Sequence, residues 1–485
     1  MKKYLAKRAT VLKKIPPIPE KLLLTTIIVC FFGIFLTVSL HRYWQYAAWY
    51  YDFGIFYSAI SAVAQGREPI IDHFIFTDQN ILSDHFHPLI FLASPLVALF
   101  KTGETLLIFQ AAFVALSGIF VYLTAKELLK NKTESFSILI LYFSFIGLHN
   151  ALITEFHEIT LLPLPLMMFF YGMVKKQRWW YGIGLLGVLL TKESTFIIPA
   201  WFGLVMALKN TGRWRVVGAA TTIFSFVYGA ALLYLVFPAI SGSGYHYLNE
   251  TMTNQQNSPL FNDLKIATVS KTFLSFGFLP LLAPETLAPV FFNWWSRFSS
   301  VATTRHDLGM HYNAEIAPTL ILGTIYGWQR LKILLGRMAE KVGKSLKKNY
   351  FGYLSVVLAL ASLFFNVYIL KSPALLFFNR AFYAHTSNLQ FLDDLLQHVP
   401  DDGVIMAQTN IAAKLAYRKV YMLRDDYAKF NPDYIVIDTR DGQEPNNFLG
   451  VRNFDSLVRK LEKDPSYELY HSQGEQKIYK RRVLP

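Results

Sequence analysis

LLLTTIIVCFFGIFLTVSL, residues 22–40, is a run of nineteen mainly apolar residues that follows a basic segment at 1–21. A run of this length can cross the roughly 30 Å hydrocarbon core of a membrane, whereas the apolar part of a signal peptide has about 7–15 residues. The bulky sequence HRYW at 41–44 does not resemble a signal-peptide cleavage site. We therefore expect a retained transmembrane helix, with residues 1–21 in the cytoplasm.

The composition of the whole chain also indicates a membrane protein. Of 485 residues, 53% are hydrophobic and only 16% are charged, whereas soluble domains carry about 25% charged residues. This excludes an ordinary soluble enzyme, and the aromatic content excludes a disordered chain. The single cysteine, Cys30, excludes a disulfide framework and a cysteine-based metal site. The net charge of +14 fits basic cytoplasmic loops, so no nucleic-acid partner is expected.

Further apolar runs predict a polytopic α-helical membrane protein with about nine to eleven spans. They lie at 105–125, 136–153, 159–174, 179–190, 194–208, 216–237, 314–329 and 351–370. Two other runs differ from these. Residues 88–100 are too short to cross a bilayer, and residues 273–295 are interrupted by Pro280, Pro284 and Pro289. We expect both to return to the side from which they enter, the second as a broken pair of half-helices.

Basic residues set the predicted orientation, because they collect in cytoplasmic loops. Five clusters occur, at 1–21, 126–132, 175–178, 209–215 and 330–348. All five fall on one side if the two unusual runs are re-entrant. The transmembrane domain is then 22–370. The external parts are 41–104, 150–158, 191–193, 238–313 and the tail 371–485.

The tail differs in composition from the membrane domain. Strand-like runs occur at 404–408, 419–423, 434–439 and 478–482, and helix-like stretches at 387–398, 409–417 and 453–463. Strands that alternate with helices predict a small α/β domain outside the cytoplasm.

Charged and imidazole side chains recur in the external segments. Ionisable groups at a membrane are costly and are therefore candidates for function. Brought to one face, carboxylates could act as a general base or hold a divalent cation, and basic groups could bind a phosphate headgroup. The catalytic candidates are Asp52, Glu155 and Glu158. The candidates for substrate contact are Asp84, His85, His87, His157, Lys192, Glu193, Arg305, His311 and Tyr312.

Purely structural interpretations stay open for these residues. Asp52 could cap the helix that begins at Phe53, and Lys192 and Glu193 could neutralise each other at a tight turn. The Asp-His-x-His pattern at 84–87 is not a specific zinc signature, so no cofactor is assigned with certainty. The candidate ligands of a divalent cation, Mg²⁺ or Mn²⁺, are Asp52, Asp84, His85, Glu155 and His157.

Several short motifs together resemble a known family. They are DFGIF at 52–56, DHFHPL at 84–89, FHE at 156–158, KE at 192–193, FLPLLAPE at 278–285, HY at 311–312, AQTN at 407–410 and YIVID at 434–438. Over about residues 45–440 the chain is similar in these motifs to a prokaryotic family of membrane proteins, the domain of unknown function 2079 family.

That family in turn is similar to the GT-C superfamily of polytopic glycosyltransferases. The resemblance implies a GT-C-like membrane fold with an external soluble domain, and membrane lipid and a polyprenyl-phosphate sugar as partners. Asp52 then matches the catalytic base, and Glu155 or Glu158 matches a second acidic position by its location. A transporter or flippase and a non-catalytic envelope scaffold are the open alternatives. The sequence does not indicate the sugar, the acceptor or the oligomeric state.

Overall fold

The first apolar run forms helix α1, Glu20–Trp44. The computed structural model describes residues 18–73, 77–242, 244–245, 247, 259, 261–341, 343, 348–443 and 454–482. With 25 residues, α1 is about 37 Å long at a rise of 1.5 Å per residue, which is enough to cross a bilayer. Apolar side chains such as Leu22 and Val29 are exposed on its surface, as expected of a helix that contacts lipid.

The other predicted apolar runs also become helical. The first external segment holds α2 (Ile55–Ala64) and α3 (Ser94–Phe100). The next helices are α4 (Glu104–Leu129), α5 (Lys132–Ser144), α6 (Ile146–Ile153), α7 (Pro163–Lys175), α8 (Arg178–Leu189), α9 (Ile197–Lys209), α10 (Gly212–Ala231) and α11 (Phe237–Ser241). They are followed by α12 (Asp263–Ser275), two 3-10 turns (Leu279–Leu282 and Pro284–Thr286), α13 (Ala288–Phe298), α14 (Asn313–Lys341) and α15 (Lys348–Phe364).

Within the described residues, five helical stretches are long and apolar enough to cross a membrane. They are Glu20–Trp44, Glu104–Leu129, Glu158–Lys175, Gly212–Ser241 and Asn349–Ile369. A sixth is obtained if α5 and α6, which are bent by 47° at their junction, count as one span. Helices α8 and α9 have only 12 and 13 residues, about 18–20 Å. The total of nine to eleven spans stays a prediction.

Basic side chains from the predicted clusters meet at one end of the helical bundle, which we call the basic end. The ion pairs there join Lys126 and Lys132 to Glu20, Lys175 to Glu127, Lys209 and Arg330 to Glu285, and Lys332 to Glu134. This common location is what the predicted orientation requires. Which side of the membrane the basic end faces stays a prediction.

Residues 263–298 form a hairpin that enters and leaves the bundle at the end opposite the basic end. Near the start of α12, Lys265 Nζ donates a hydrogen bond of 2.8 Å to the carbonyl oxygen of Phe298 at the end of α13. The two 3-10 turns reverse the chain at the basic end, where Glu285 forms its ion pairs. The prolines in 273–295 predict a broken pair of half-helices, and the re-entrant course of this segment in a membrane stays a prediction.

The short run at 88–100 also turns back. A 3-10 stretch, Pro88–Ala93, continues into α3. Lys101 then adopts a left-handed φ of 54°, which lets the chain reverse into α4. The N–H of Leu89 donates a hydrogen bond of 2.9 Å to the carbonyl oxygen of Leu190, just after α8. The run at 88–100 and helix α4 therefore both begin at the same end of the bundle.

The tail forms a five-stranded mixed sheet with helices. The strands are β3 (Ile405–Ala407), β4 (Val420–Met422), β5 (Tyr434–Asp438), β6 (Tyr467–Gln473) and β7 (Gln476–Arg481). The strand order is β4-β3-β5-β7-β6, with β3 parallel to β4 and β5 and with β7 antiparallel to both of its neighbours. The helices are α16 (Ser387–Gln397), α17 (Thr409–Leu415) and α18 (Phe454–Lys463). The predicted small α/β unit is confirmed, and β6 is an additional strand, largely solvent-facing.

The tail packs against the first external segment within one hydrophobic core. That segment contains a hairpin of β1 (Ile70–Asp72) and β2 (Thr77–Asn80). Asp72 Oδ2 accepts hydrogen bonds from Arg424 Nη2 at 2.5 Å and from the N–H of Met422 at 2.8 Å. The N–H of Tyr50 donates to Thr409 Oγ1 at 2.9 Å. The tail therefore lies at the end of the bundle opposite the basic end.

Candidate functional site

Asp52 lies on a π-helical turn, Tyr50–Gly54, which precedes α2. The turn is tight, because a Cβ atom at Gly54 would come within 2.5 Å of the ring of Tyr50. Glycine therefore avoids a clash that any other residue would create with a buried ring. The side chain of Asp52 is 33% exposed, whereas its neighbour Phe53 is fully buried.

The side chain of Glu155 fixes the backbone of this turn. Its Oε2 accepts hydrogen bonds from the backbone N–H of Trp49 at 3.1 Å and of Phe53 at 3.0 Å. Burial, and after it the nearby carboxylate of Asp52, raises the pKa of Glu155 well above its usual value. The placement makes Glu155 a positioning residue for the turn, in contrast to the direct role expected from the sequence.

Two stacked histidines lie beside Asp52. His157 Nε2 is 3.6 Å from Asp52 Oδ1, and the rings of His157 and His311 stack with their centroids 3.5 Å apart. Burial lowers the pKa of His311 well below its usual value, and the adjacent His157 acts in the same direction. His311 is therefore a neutral ring at pH 7.

Lys192 and Glu158 form a largely buried ion pair. The distance from Lys192 Nζ to Glu158 Oε1 is 2.8 Å, and the side chains are 18% and 4% exposed. Burial by itself would lower the pKa of Lys192, but Glu158 and then Glu193 outweigh burial and raise it. Lys192 therefore keeps its positive charge at neutral pH.

Glu193, the next residue, connects three elements. Its Oε1 is 2.8 Å from His85 Nδ1 and accepts a hydrogen bond of 2.7 Å from Tyr245 Oη, and its Oε2 accepts one of 2.9 Å from the N–H of Phe86. Burial opposes ionisation of Glu193, but His85 and Lys192 lower its pKa to about 2. The pKa of His85 is raised: burial and Lys192 oppose the shift, and Glu193 outweighs them.

Tyrosines from the segment after α11 cover this side of the site. Tyr247 Oη donates a hydrogen bond of 2.6 Å to Asp84 Oδ1, and the Tyr247 ring stacks on His85 at a centroid distance of 4.7 Å. Tyr245 and Tyr247 together cover Asp84, His85 and Glu193.

Arg297 organises the opposite side. Its guanidinium donates to the carbonyl oxygens of Arg305 at 2.8 Å and Asp307 at 2.6 Å, and to Asn313 Oδ1 at 2.9 Å. These bonds fix the segment that carries the Arg305 side chain. Both guanidinium groups also lie near the ring of Tyr312, at 5.4 and 6.0 Å from its centroid.

Most of these side chains line a cavity of about 270 Å³ at the end of the bundle opposite the basic end. The structure brings ten of the predicted site residues to its lining. They are Asp52, Asp84, His85, His157, Glu158, Lys192, Glu193, Arg305, His311 and Tyr312. Two others lie behind the wall: Glu155 supports the turn, and His87 is buried beside the ring of Phe56. Burial lowers the pKa of His87 to about 4.

The lining also contains polar residues that were not predicted as site residues. Among them are Tyr245, Tyr247, Asn293 and Arg297. Arg297 follows the pair Trp294-Trp295, which by itself indicates a membrane interface. An arginine next to a proline-interrupted apolar stretch is the signal that could have identified it.

The candidate ligands of a divalent cation do not converge. Within the part of the chain that the structure describes, no group of three or more His, Cys, Asp or Glu side chains has the arrangement of a metal site. Asp84 is engaged by Tyr247, and Glu155 by the backbone of the turn. The donor set does not fit an Mg²⁺ or Mn²⁺ centre, and we derive no chemical step through a metal.

The sequence model of one family, described as predicted membrane protein (DUF2079), matches residues 42–476. The chain belongs to this family. The match confirms the resemblance that the motifs indicate. Among the curated proteins, none matches this DUF2079 protein.

Two solved structures are similar to the DUF2079 protein. One is ArnT from Cupriavidus metallidurans bound to undecaprenyl phosphate, with 12% sequence identity, a TM-score of 0.53, and coverage of 94% of this chain and 97% of that chain. Another is the Archaeoglobus fulgidus oligosaccharyltransferase tethered with an acceptor peptide, with 12% identity, a TM-score of 0.44, and coverage of 95% and 74%. At this identity the match to ArnT shows the fold alone, and it confirms the predicted GT-C-like membrane fold.

Proposed function

We propose that this DUF2079 protein transfers a sugar from a polyprenyl-phosphate donor to an acceptor at the external surface of the membrane. The observation that carries the proposal is the position of Asp52. Its carboxylate is one third exposed and lines a polar cavity that also holds Lys192 and Arg305. The cavity thus combines a base with groups that bind phosphate. The fold shared with ArnT, whose structure contains undecaprenyl phosphate, supports the same class of donor.

Asp52 acts as the general base in this reaction. The acceptor hydroxyl oxygen attacks the anomeric carbon of the sugar while Asp52 accepts the hydroxyl proton. The bond between the anomeric carbon and the phosphate oxygen breaks, and polyprenyl phosphate leaves with the bonding electrons. Because the attack comes from the face opposite the leaving group, the anomeric configuration inverts. His157, 3.6 Å from Asp52, orients the carboxylate.

Basic side chains bind the phosphate of the donor. Lys192 keeps its charge at neutral pH, since the carboxylates around it raise its pKa. Arg305 supplies a planar guanidinium, which suits two-point binding of phosphate oxygens. Arg297 donates hydrogen bonds to backbone carbonyl oxygens of the Arg305 segment and so holds the backbone that carries the Arg305 side chain.

Polar groups on the remaining wall orient the acceptor. Asp84, His85 and Glu193 are held by hydrogen bonds and stacking with Tyr245 and Tyr247. Carboxylates and tyrosine hydroxyls in fixed positions are suited to hydroxyl groups of a carbohydrate, which both donate and accept hydrogen bonds.

The test is a donor-consumption assay with the full-length protein in lipid nanodiscs. Polyprenyl-phosphate sugars labelled in the sugar are incubated with a panel of acceptors, and the release of polyprenyl phosphate is measured. D52N should lower kcat by about 100-fold or more, the range of general base catalysis, while the protein stays folded. D426N is the matched control, because Asp426 is a half-exposed tail residue paired with Lys429 and does not line the cavity.

Full transfer activity in D52N would eliminate the base assignment. Absence of donor consumption by the wild-type protein, with movement of the lipid-linked sugar across proteoliposome membranes, would favour a flippase. Absence of both activities, with unchanged function of D52N in cells, would favour an envelope scaffold.

A further inference from the structure

A second cavity, of about 720 Å³, lies at the basic end of the bundle. It is bounded by the ends of α4, α7 and α9, by the reversal of the 263–298 hairpin and by α14. None of the residues proposed for sugar transfer lines it. The cavity is therefore separate from the site at the opposite end.

Positive charge is in excess around this second cavity. Lys176, Lys209, Arg330 and Lys332 line it, and Glu285 is the carboxylate in the lining. Glu285 pairs with Lys209 at 2.7 Å and also with Arg330, and Lys332 pairs with Glu134 at 2.9 Å. The ammonium group of Lys176 has no hydrogen-bond or ion-pair partner among the described residues. Even with both carboxylates counted, the basic groups outnumber the acidic ones by two.

Most of the remaining wall is apolar, with Asn210, Thr286, Tyr326 and Gln329 as its polar members. Val205, Met206 and Ile333 contribute to it, together with residues from α4 and α7. Exposed apolar side chains flank the cavity: Leu208 is 76% exposed, next to Lys209, and Trp179 is 79% exposed. An exposed tryptophan beside lysines is typical of the headgroup level of a membrane. The cavity thus presents basic groups and an apolar wall at the level where a lipid has its phosphate and the start of its chains.

We propose that this second cavity binds an anionic phospholipid of the leaflet at the basic end, with the phosphate near Lys176 and one acyl chain against Val205 and Ile333. A free phosphate ion would leave the apolar wall uncovered. A zwitterionic lipid would place the positive group of its own headgroup next to the lysines. Basic pockets between membrane helices are known to bind anionic headgroups. The inference does not depend on the proposed sugar transfer.

The experiment uses the full-length protein in a neutral detergent, with bound lipid quantified by native mass spectrometry. The probes are phosphatidylglycerol, phosphatidylcholine and inorganic phosphate, each titrated separately. We expect phosphatidylglycerol to bind at least about fivefold more tightly than phosphatidylcholine. K176A should weaken phosphatidylglycerol about fivefold, the contribution of one basic residue near anionic lipid. V205W, which fills the apolar part of the cavity, should weaken it without removing any charge.

A matched control variant and thermal unfolding complete the test. K130A is the matched control, because Lys130 lies at the same end, pairs with Glu127 on the surface and does not line the cavity. Unchanged phosphatidylglycerol binding in both K176A and V205W would overturn the proposal, as would equal binding of phosphatidylcholine. Inorganic phosphate that binds as tightly as the lipid, with no effect of V205W, would show a simple anion site instead. Thermal unfolding of each variant confirms that loss of binding is not loss of fold.

Discussion

The buried carboxylate of Glu155 accepts a hydrogen bond of 3.0 Å from the backbone N–H of Phe53, the residue that follows Asp52. The same oxygen atom also accepts from the N–H of Trp49. The position of Asp52 therefore depends on a residue more than a hundred positions away in the sequence. In the proposed reaction, this relationship separates the carboxylate that acts as the base from the carboxylate that holds it in place.

E155A should destabilise the protein by roughly 1–3 kcal/mol, because it leaves the buried N–H of Phe53 and the partly buried N–H of Trp49 without an acceptor. E155Q keeps one acceptor oxygen and should restore most of the stability and activity. The measurement is thermal unfolding together with kcat in the donor-consumption assay. A direct catalytic role of Glu155 would instead make E155Q as inactive as E155A while its stability stays normal.

Breaking the Lys192–Glu158 pair should cost roughly 3–5 kcal/mol, because one charge would be left buried and unpaired. K192M and E158Q should each show this loss in chemical unfolding, and the double variant should lose less than the sum of the two. The surface pair of Lys477 and Glu462 is the control, with an expected coupling of about 1 kcal/mol or less. Additive losses at Lys192 and Glu158 would contradict a direct interaction.

The pair of His85 and Glu193 predicts a loss of stability at alkaline pH. The folded-state pKa of His85 is raised above its ordinary 6.5, so its stabilisation is complete below that pH and is lost as pH rises through the folded value. The pKa of Glu193 is lowered from 4.5 to about 2, so its contribution is present above 4.5 and is lost only as pH falls towards 2. The Tm of the wild type should therefore fall as pH rises above 6.5.

H85Q should remove most of this pH dependence, since a glutamine does not titrate. H385Q should leave it intact, because His385 is 56% exposed and lies in the tail. Parallel Tm curves for the wild type and H85Q between pH 6 and 9 would show that another group is responsible.

D72N should loosen the tail from the first external segment. The substitution leaves Arg424, which is buried against Asp72, without its carboxylate, at a cost of roughly 3 kcal/mol. Hydrogen exchange should accelerate in β3 and β4, measured by mass spectrometry. E468Q, at an exposed pair with Arg482, serves as the control and should exchange like the wild type. Equal exchange in D72N and E468Q would mean that the apolar core alone holds the tail.

The arrangement of charge along the sequence predicted which segments meet. If the basic clusters lie on one side of the membrane, Asp52 and Lys192 must lie on the other side, although 140 residues separate them in the sequence. The structure places both in the lining of one cavity. Sidedness is a property of whole segments, so it can be deduced from composition without knowledge of any side-chain contact.

The direction of single side chains could not be predicted in this way. Glu155 has a left-handed φ of 72°, and its carboxylate points to the backbone of the Asp52 turn, whereas His157 and Glu158 line the cavity. His87 is buried beside Phe56, although His85 lines the cavity. Such differences between neighbours depend on local backbone angles, which the pattern of apolar and charged residues does not reveal.

Arg297 shows a second limit of sequence reasoning. Its surroundings in sequence are apolar and aromatic, so periodicity and charge counting place it in a membrane hairpin. Its role depends on carbonyl oxygens of residues 305 and 307, which any residue type would provide. Because these contacts are with backbone atoms, the residue types at positions 305 and 307 do not reveal them.

The shared core of the first external segment and the tail has a practical consequence for the production of fragments. Residues from 43 to 107 and from 389 to 478 contribute side chains to one apolar interior. A protein truncated after the last membrane helix would expose its own part of that interior to solvent, and the isolated tail would expose the remaining part. Neither piece is expected to remain soluble and native by itself, so crystallisation trials and binding screens need the intact polypeptide.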